Sequence, residues 1–256
     1  RPAGTLTLGL LQPNVAQDEK FSLERMPETL AWVARALTGA DADLVIAPET
    51  AVPLLPDQLE DAAPGYRAAL DAHFAAPGRA ALVGMPLGNF EVGYTNSVVG
   101  LSAGPAYRYD KHHLVPFGEY VPFRDLLPLR RLTAGLGDFT PGSGPKTFRM
   151  PQLPGVGLSI CYEAIFPGKI ISSKERPEWI FNATNDAWFG RSVAPFQHFG
   201  MVVFRSVENR VAFARAANTG VSGFIDPLGR IVAATPIFEQ AALRGEIPVG
   251  RLPTFY

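Results

Sequence analysis

Val156-Gly157-Leu158-Ser159-Ile160-Cys161-Tyr162-Glu163 begins with five residues that read as a strand and ends with three that carry chemistry. The strand part is nearly all apolar or small, with no wet face, so it belongs to a sheet covered on both sides. Comparable runs recur at residues 5–11, 44–47, 80–85, 94–101, 106–109, 179–183, 213–216, 223–225, 230–234 and 243–249. Helical spacing marks residues 23–37, 64–74, 165–173 and 195–211. The last of these sets Phe196, Phe199, Val202, Val203, Phe204, Val207 and Val211 close to one stripe, which predicts one buried face. Such mixing predicts an α/β chain, and strands buried on both faces predict a layered sandwich, sheet against sheet with helices outside.

The 256 residues carry 23 Lys+Arg against 24 Asp+Glu, a net charge of -1, and 47% are apolar. This is the balance of a globular protein able to bury a large core. No repeat or linker divides it, so residues 1–256 are expected to form one domain. Without a basic excess the chain lacks the electrostatic term behind most nucleic-acid binding, and no nucleic acid is expected as a partner. Cys161 is the sole cysteine, which excludes an intramolecular disulfide and a multi-cysteine zinc site. No window approaches the roughly 18 apolar residues of a membrane span. A start at Arg1 rather than Met reads as a piece of a longer protein or a processed form. Residues 117–145 are the least regular, rich in Pro and Gly, and a loop this long in a compact domain is usually functional or mobile.

Cys161 follows the strand directly and precedes the helix expected from Ile165. A nucleophile at a strand-to-helix turn is exposed, the next N–H groups face any oxyanion, and a helix N-terminus would favour the thiolate. Equally, a lone cysteine is often a small buried apolar residue. Glu49 ends the run Leu44-Val45-Ile46-Ala47-Pro48-Glu49, where sites form in α/β sheets, though capping and surface carboxylates are also found there. Lys111 likewise follows a strand, as many solvated lysines do. His112 and His113 suggest a metal, but adjacent residues on an extended segment point opposite ways and no second ligand cluster is visible, so no metal and no cofactor are expected.

Glu49, Lys111 and Cys161, each closing a separate strand, resemble the Glu–Lys–Cys triad of the nitrilase (carbon–nitrogen hydrolase) superfamily. That resemblance implies an α-β-β-α sandwich, with Glu49 as general base, Lys111 on the oxyanion and Cys161 as nucleophile. Longer runs narrow it: Lys111-His112-His113-Leu114-Val115-Pro116-Phe117-Gly118-Glu119-Tyr120, Ile160-Cys161-Tyr162-Glu163, Asn185-Asp186-Ala187-Trp188-Phe189-Gly190 with Gln197-His198, and Ala217-Asn218-Thr219-Gly220. These are similar to the apolipoprotein N-acyltransferase family over nearly the whole chain. The resemblance implies acyl transfer from a phospholipid, through a Cys161 thioester, to a diacylglyceryl apolipoprotein. It also implies work against a membrane surface, at the periplasmic face of the bacterial inner membrane, by a domain excised from its membrane helices.

Glu119, eight residues after Lys111, and Tyr162 and Glu163 fall on further functional positions of that family. Glu119 and Glu163 are expected either to aim Lys111 or to form structural ion pairs. Trp188, Phe189 and His198 are read as substrate contacts, as are Leu126 and Leu129, from a lid that would dip its Leu, Phe and Arg residues into lipid; the alternative is that these leucines pack as core. The chain departs from the family in having Ala47 where Trp often precedes Pro-Glu-Thr, and Phe21 near the place of another Trp. A soluble amidase or nitrilase with the same three residues is the competing reading.

Overall fold

Alternate residues of a strand face opposite ways, and in this chain both faces of the central strands are apolar. In the computed structural model, which describes residues 4–122, 138–250 and 252–254, the runs fold as β1 (Gly4–Gln12), β2 (Leu44–Ala47), β3 (Ala80–Asn89), β4 (Gly93–Ser102), β5 (Tyr107–Asp110), β6 (Thr147–Phe148), β7 (Val156–Ile160), β8 (Trp179–Thr184), β9 (Ala212–Ala217), β10 (Gly223–Ile225), β11 (Ile231–Ala234) and β12 (Ala241–Val249). Two six-stranded sheets result, ordered β12-β1-β2-β3-β4-β5 and β11-β10-β9-β8-β7-β6. The helices are α1 (Met26–Gly39), α2 (Pro56–Ala62), α3 (Tyr66–Phe74) and α4 (Ala194–Asn209).

Alternation sorts the side chains into three layers. Leu44 and Ile46 of β2, Leu82 of β3, Leu158 and Ile160 of β7, and Trp179, Phe181 and Ala183 of β8 meet between the sheets. The intervening Val45, Ala47, Ala81 and Val83 turn outward onto Leu30, Val33 and Leu37 of α1 and Leu70 and Phe74 of α3. On the other sheet Ile180, Phe213 and Ile225 turn outward onto Phe199 and Val202 of α4. The expected sandwich is therefore the fold, in α-β-β-α order.

Topology gathers the site at one end. β1, β2 and β3 run parallel, as do β7, β8 and β9. β5 returns to the direction of β3 through two antiparallel steps. Glu49, Lys111, Cys161, Asn185 and Asn218 thus follow the C-terminal ends of β2, β5, β7, β8 and β9, where open α/β sheets form their sites. Gly84 lets the chain of Glu49 lie flat on β3: a Cβ there would stand 2.2 Å from the Pro48 carbonyl oxygen and 2.8 Å from the Glu49 Cα.

Three expectations change. Residues 165–173 are not helical; a single 3-10 turn, Cys161–Ile165, ends at Phe166, whose backbone is extended. Pro167 explains this, because it pushes the preceding residue out of the helical region. On α4 the buried stripe is Pro195, His198, Phe199, Val202, Arg205, Ser206 and Asn209, while Phe196, Phe204 and Val207 are exposed. α4 therefore turns a largely polar face inward and apolar side chains outward. α2 and β6 were not read from the sequence; α2 is a short helix opened by Pro56, with the Gln58 side chain accepting the Leu55 N–H at 3.1 Å. Leu126 and Leu129 lie outside the described residues.

Candidate active site

Cys161 leaves β7 with φ of 48°, a left-handed conformation uncommon for a residue with a Cβ. Its neighbours hold it there. The Glu163 carboxylate folds back to accept the Ile160 N–H at 2.7 Å, and the His198 ring reaches the Cys161 carbonyl oxygen at 3.1 Å through Nε2. The other ring nitrogen meets Asp186 Oδ1 at 2.8 Å, and Asp186 Oδ2 accepts from Arg215 at 2.5 Å. Arg215 and Asp186 are fully buried, so the Cys161 backbone rests on an internal ion pair.

Opposite this turn, Glu49 accepts the Asn96 amide at 2.7 Å on Oε1 and the Asn185 backbone N–H at 2.8 Å on Oε2. Lys111 Nζ stands 3.5 Å from Glu49 and 2.9 Å from Glu119. Glu119 also accepts from Asn96 at 2.9 Å and from the Val115 N–H at 2.8 Å. Burial opposes the charge on Lys111, but Glu49 and Glu119 outweigh it and hold the ammonium above the ordinary lysine range. The Cys161 thiol is driven the other way from a reactive thiolate: burial and the Glu49 charge push it well up, and Lys111 offsets only part. With no helix following Cys161, the dipole expected to favour the thiolate is missing.

Glu163 ties the segment after Lys111 to the turn at Cys161. Fully buried, it accepts the N–H groups of His112 at 2.7 Å and His113 at 3.1 Å, directly after Lys111, and the Tyr109 hydroxyl at 2.8 Å. Burial alone would raise its pKa, yet the His112 ring and these N–H donors reverse that and hold the carboxyl below the ordinary glutamate range. The chain bends here, so His112 and His113 do not diverge as an extended segment would; their ring centroids are 4.5 Å apart. His112 Nδ1 is engaged by Glu163 at 2.6 Å, and His113 stacks on Phe166.

These groups open on a cavity of about 590 Å³, within the size range of small-molecule sites. Glu49, Lys111, Glu119, Cys161 and Tyr162 share its wall with Trp188, Phe189, His198 and Met201, and also with Phe21, Pro86, Val115 and Ile165. Trp188 and Phe189 stand half-exposed at its rim. Lys20 and Asn185 are among the polar wall residues not singled out from the sequence. Asn185 sits in the Asn-Asp-Ala-Trp run, and its side-chain amide donates to Gln17 at 2.9 Å and accepts from Asn218 at 3.0 Å. Lys20 is buried, with its Nζ 3.3 Å from the Glu49 carbonyl oxygen; no strand or helix pattern marks it.

Fold and site together define a class: an α-β-β-α sandwich with a buried Glu, a buried Lys and a partly buried Cys at its strand ends. The chain matches the carbon-nitrogen hydrolase family over residues 7–253 and belongs to it. It is 40% identical over 252 residues to an apolipoprotein N-acyltransferase of Verminephrobacter eiseniae, covering 95% of this chain and 46% of that protein. To the apolipoprotein N-acyltransferase of Methylococcus capsulatus it is 41% identical over 251 residues, covering 95% of this chain and 49% of that protein. The chain spans about half the length of the curated relatives it matches. Its fold is similar to that of a CN-hydrolase superfamily protein from Xanthomonas campestris, with a TM-score of 0.68 at 19% identity over 95% of this chain and 91% of that one. No helix among the described residues is long and apolar enough to cross a membrane.

Proposed function

We propose that this chain is the catalytic domain of an apolipoprotein N-acyltransferase, working at the periplasmic face of a bacterial inner membrane. The observation that carries the reading is the cavity: an apolar-walled space of about 590 Å³ with Cys161, Glu49 and Lys111 on its wall, in a chain 40% identical to a relative of that name. An acyl chain suits such a wall, and the half-exposed Trp188 and Phe189 suit a rim that receives it from a lipid surface.

In the first half-reaction Glu49 takes the Cys161 proton as sulfur attacks an ester carbonyl of a phospholipid. Removal of the proton during attack fits a thiol held protonated at rest. Charge building on the carbonyl oxygen is met by the Lys111 ammonium and the N–H following Cys161. The C–O bond breaks, Glu49 returns the proton to the leaving oxygen, and lysophospholipid departs from a Cys161 thioester. In the second half the α-amine of a diacylglyceryl-cysteine attacks the thioester, Glu49 takes a proton from nitrogen, and the C–S bond breaks to give the amide. Glu119 acts by keeping Lys111 charged and aimed, and Glu163 by fixing the backbone on both sides of the site.

Intact-mass spectrometry after incubation with phospholipid vesicles tests this. The expected result is a hydroxylamine-labile fatty-acyl adduct that is absent from Cys161→Ala. Turnover of simple aliphatic amides with no lipid adduct would replace the reading with that of a soluble amidase.

A further inference from the structure

Making an amide from an ammonium group removes two protons from nitrogen, and the reaction above, which begins from the free amine, provides for one. The acceptor is an α-amine, whose ordinary pKa of about 7.7–8.0 leaves much of it as ammonium at neutral pH. Glu49 carries a single proton from nitrogen to the departing sulfur, so the ammonium proton must leave by another route. Most polar groups on the cavity wall are committed. Glu119 is held by Lys111, Asn96 and the Val115 N–H. Lys111 is locked as ammonium between two carboxylates, and both nitrogens of His198 face acceptors.

We propose that Lys20, as a neutral amine, is the base that receives this proton, an inference that rests on the acyl-transfer reading above. Only 5% exposed and set in the cavity wall, Lys20 has its Nζ 3.3 Å from an uncharged oxygen, the Glu49 main-chain carbonyl. Lys111 has carboxylate oxygens within 4.0 Å; among the described residues no ion pair of that length reaches Lys20. A buried amine without a carboxylate partner gives up its proton readily. Burial pulls Lys20 down to about 8, against the opposing pull of the Glu49 carboxylate and the Cys161 sulfur that face it; Lys111 and Glu119 line the same cavity further from its contacts. That value matches the acceptor α-amine, the condition under which proton exchange between them is balanced.

The step closes in atoms and electrons. Lys20 Nζ takes one proton from the acceptor ammonium, leaving a free lone pair on nitrogen. That pair attacks the thioester carbon as the C=O π pair moves to oxygen. Glu49 removes a second proton from nitrogen, the C–S bond breaks with its pair on sulfur, and Glu49 protonates the sulfur. Amide and thiol result, and Lys20 leaves the cycle as ammonium, to be deprotonated by solvent.

The test separates the half-reactions in the detergent-solubilised protein. Single-turnover thioester formation from phospholipid and its discharge by a synthetic peptide with an N-terminal S-diacylglyceryl-cysteine are measured for wild type, Lys20→Met and Lys20→Arg, with discharge expressed per thioester formed. In both variants discharge should fall roughly tenfold or more relative to formation near pH 7. The gap should close above about pH 9, where the acceptor amine is already neutral. A discharge deficit that persists undiminished at high pH, or a Lys20→Arg variant discharging like wild type, would overturn the proposal. Absence of any thioester in wild type would instead remove the acyl-transfer reading, and the role of Lys20 with it.

Discussion

The Cys161 thiol is pushed up by burial and by the Glu49 carboxylate, while Lys111 pulls it down. This ordering makes the site's reactivity depend on a base that works during attack and not on a standing thiolate, and it can be read by alkylation. Iodoacetamide labelling of Cys161 against pH should rise later than for an ordinary thiol near about 8.5. Glu49→Gln removes the neighbouring negative charge and should move the rise to lower pH, even as it abolishes acylation; Lys111→Met should move it to higher pH. A Glu49→Gln profile shifted upward would mean that the carboxylate does not face the sulfur as its charge implies. Lys111→Met should also cost stability, about 3–5 kcal/mol by urea denaturation, because it strips the cation from Glu49 and Glu119 in a buried place.

Elements are joined here by single buried side chains. Glu163 on the turn after β7 receives the backbone that follows β5, and Glu163→Ala would leave the N–H groups of Ile160, His112 and His113 without it. Each such group costs about 1–3 kcal/mol when left unsatisfied, so a loss of roughly 3–5 kcal/mol is expected, with Glu163→Gln recovering part. Since the folded Glu163 lies below its ordinary range, its stabilisation is complete above the unfolded value of about 4.3 and is lost as pH falls through the folded one. Glu163→Gln should therefore flatten the acid limb of stability below about pH 4, a change seen by denaturation at stepped pH. α4 gives the opposite lesson. Val202→Ala should cost about 1–3 kcal/mol, whereas Phe204→Ser should stay within about 0.5 kcal/mol, since Phe204 is exposed. A large loss at Phe204 would mean that the outward face of α4 is covered. The period of α4 was legible in the sequence but its phase was not: apolar Phe196, Phe204 and Val207 suggested the inner face, while His198, Arg205 and Ser206 took it by bonding to the carbonyls of Cys161, Ile165 and Asp226, which only the fold brings near, and Asn209 by bonding back to the Arg205 carbonyl. Strands were legible because burial on both faces leaves continuous apolar runs such as 156–160. The helix expected at 165–173 failed on Pro167, a local signal outweighed by apolar spacing. Glu49, Lys111 and Cys161 could be found because each ends a strand; Lys20 could not, because it comes from an irregular segment whose path depends on what it packs against.

At the scale of the molecule, catalytic geometry is the separation of two sheets. Glu49 and Lys111 belong to one sheet and Cys161 to the other, so whatever fixes the sheets' spacing at the site end also fixes the distance from Glu49 to Cys161. Besides the apolar layer, a polar tie spans them there. Gln12, the last residue of β1, accepts the hydroxyls of Ser222 and Thr235, each at 2.7 Å, and donates to the carbonyls of Pro236 at 2.7 Å and Glu239 at 2.8 Å. Ser222 and Thr235 flank β10 and β11 of the opposite sheet. Gln12→Leu has nearly the same length but no donor or acceptor, so the carbonyls of Pro236 and Glu239 lose its amide while the Ser222 and Thr235 hydroxyls keep their bonds to Ala217 and Ser222; about 1–3 kcal/mol of stability should go. If the sheets unfold as one unit, the urea midpoint drops while the slope of the transition is unchanged. Thioester formation should slow as well, because a shift of even about 1 Å between base and nucleophile is costly to a positioned reaction. A Gln12→Leu variant of reduced stability but undiminished acylation rate would show that the apolar layer alone sets the spacing, and that the polar tie serves folding without serving the site.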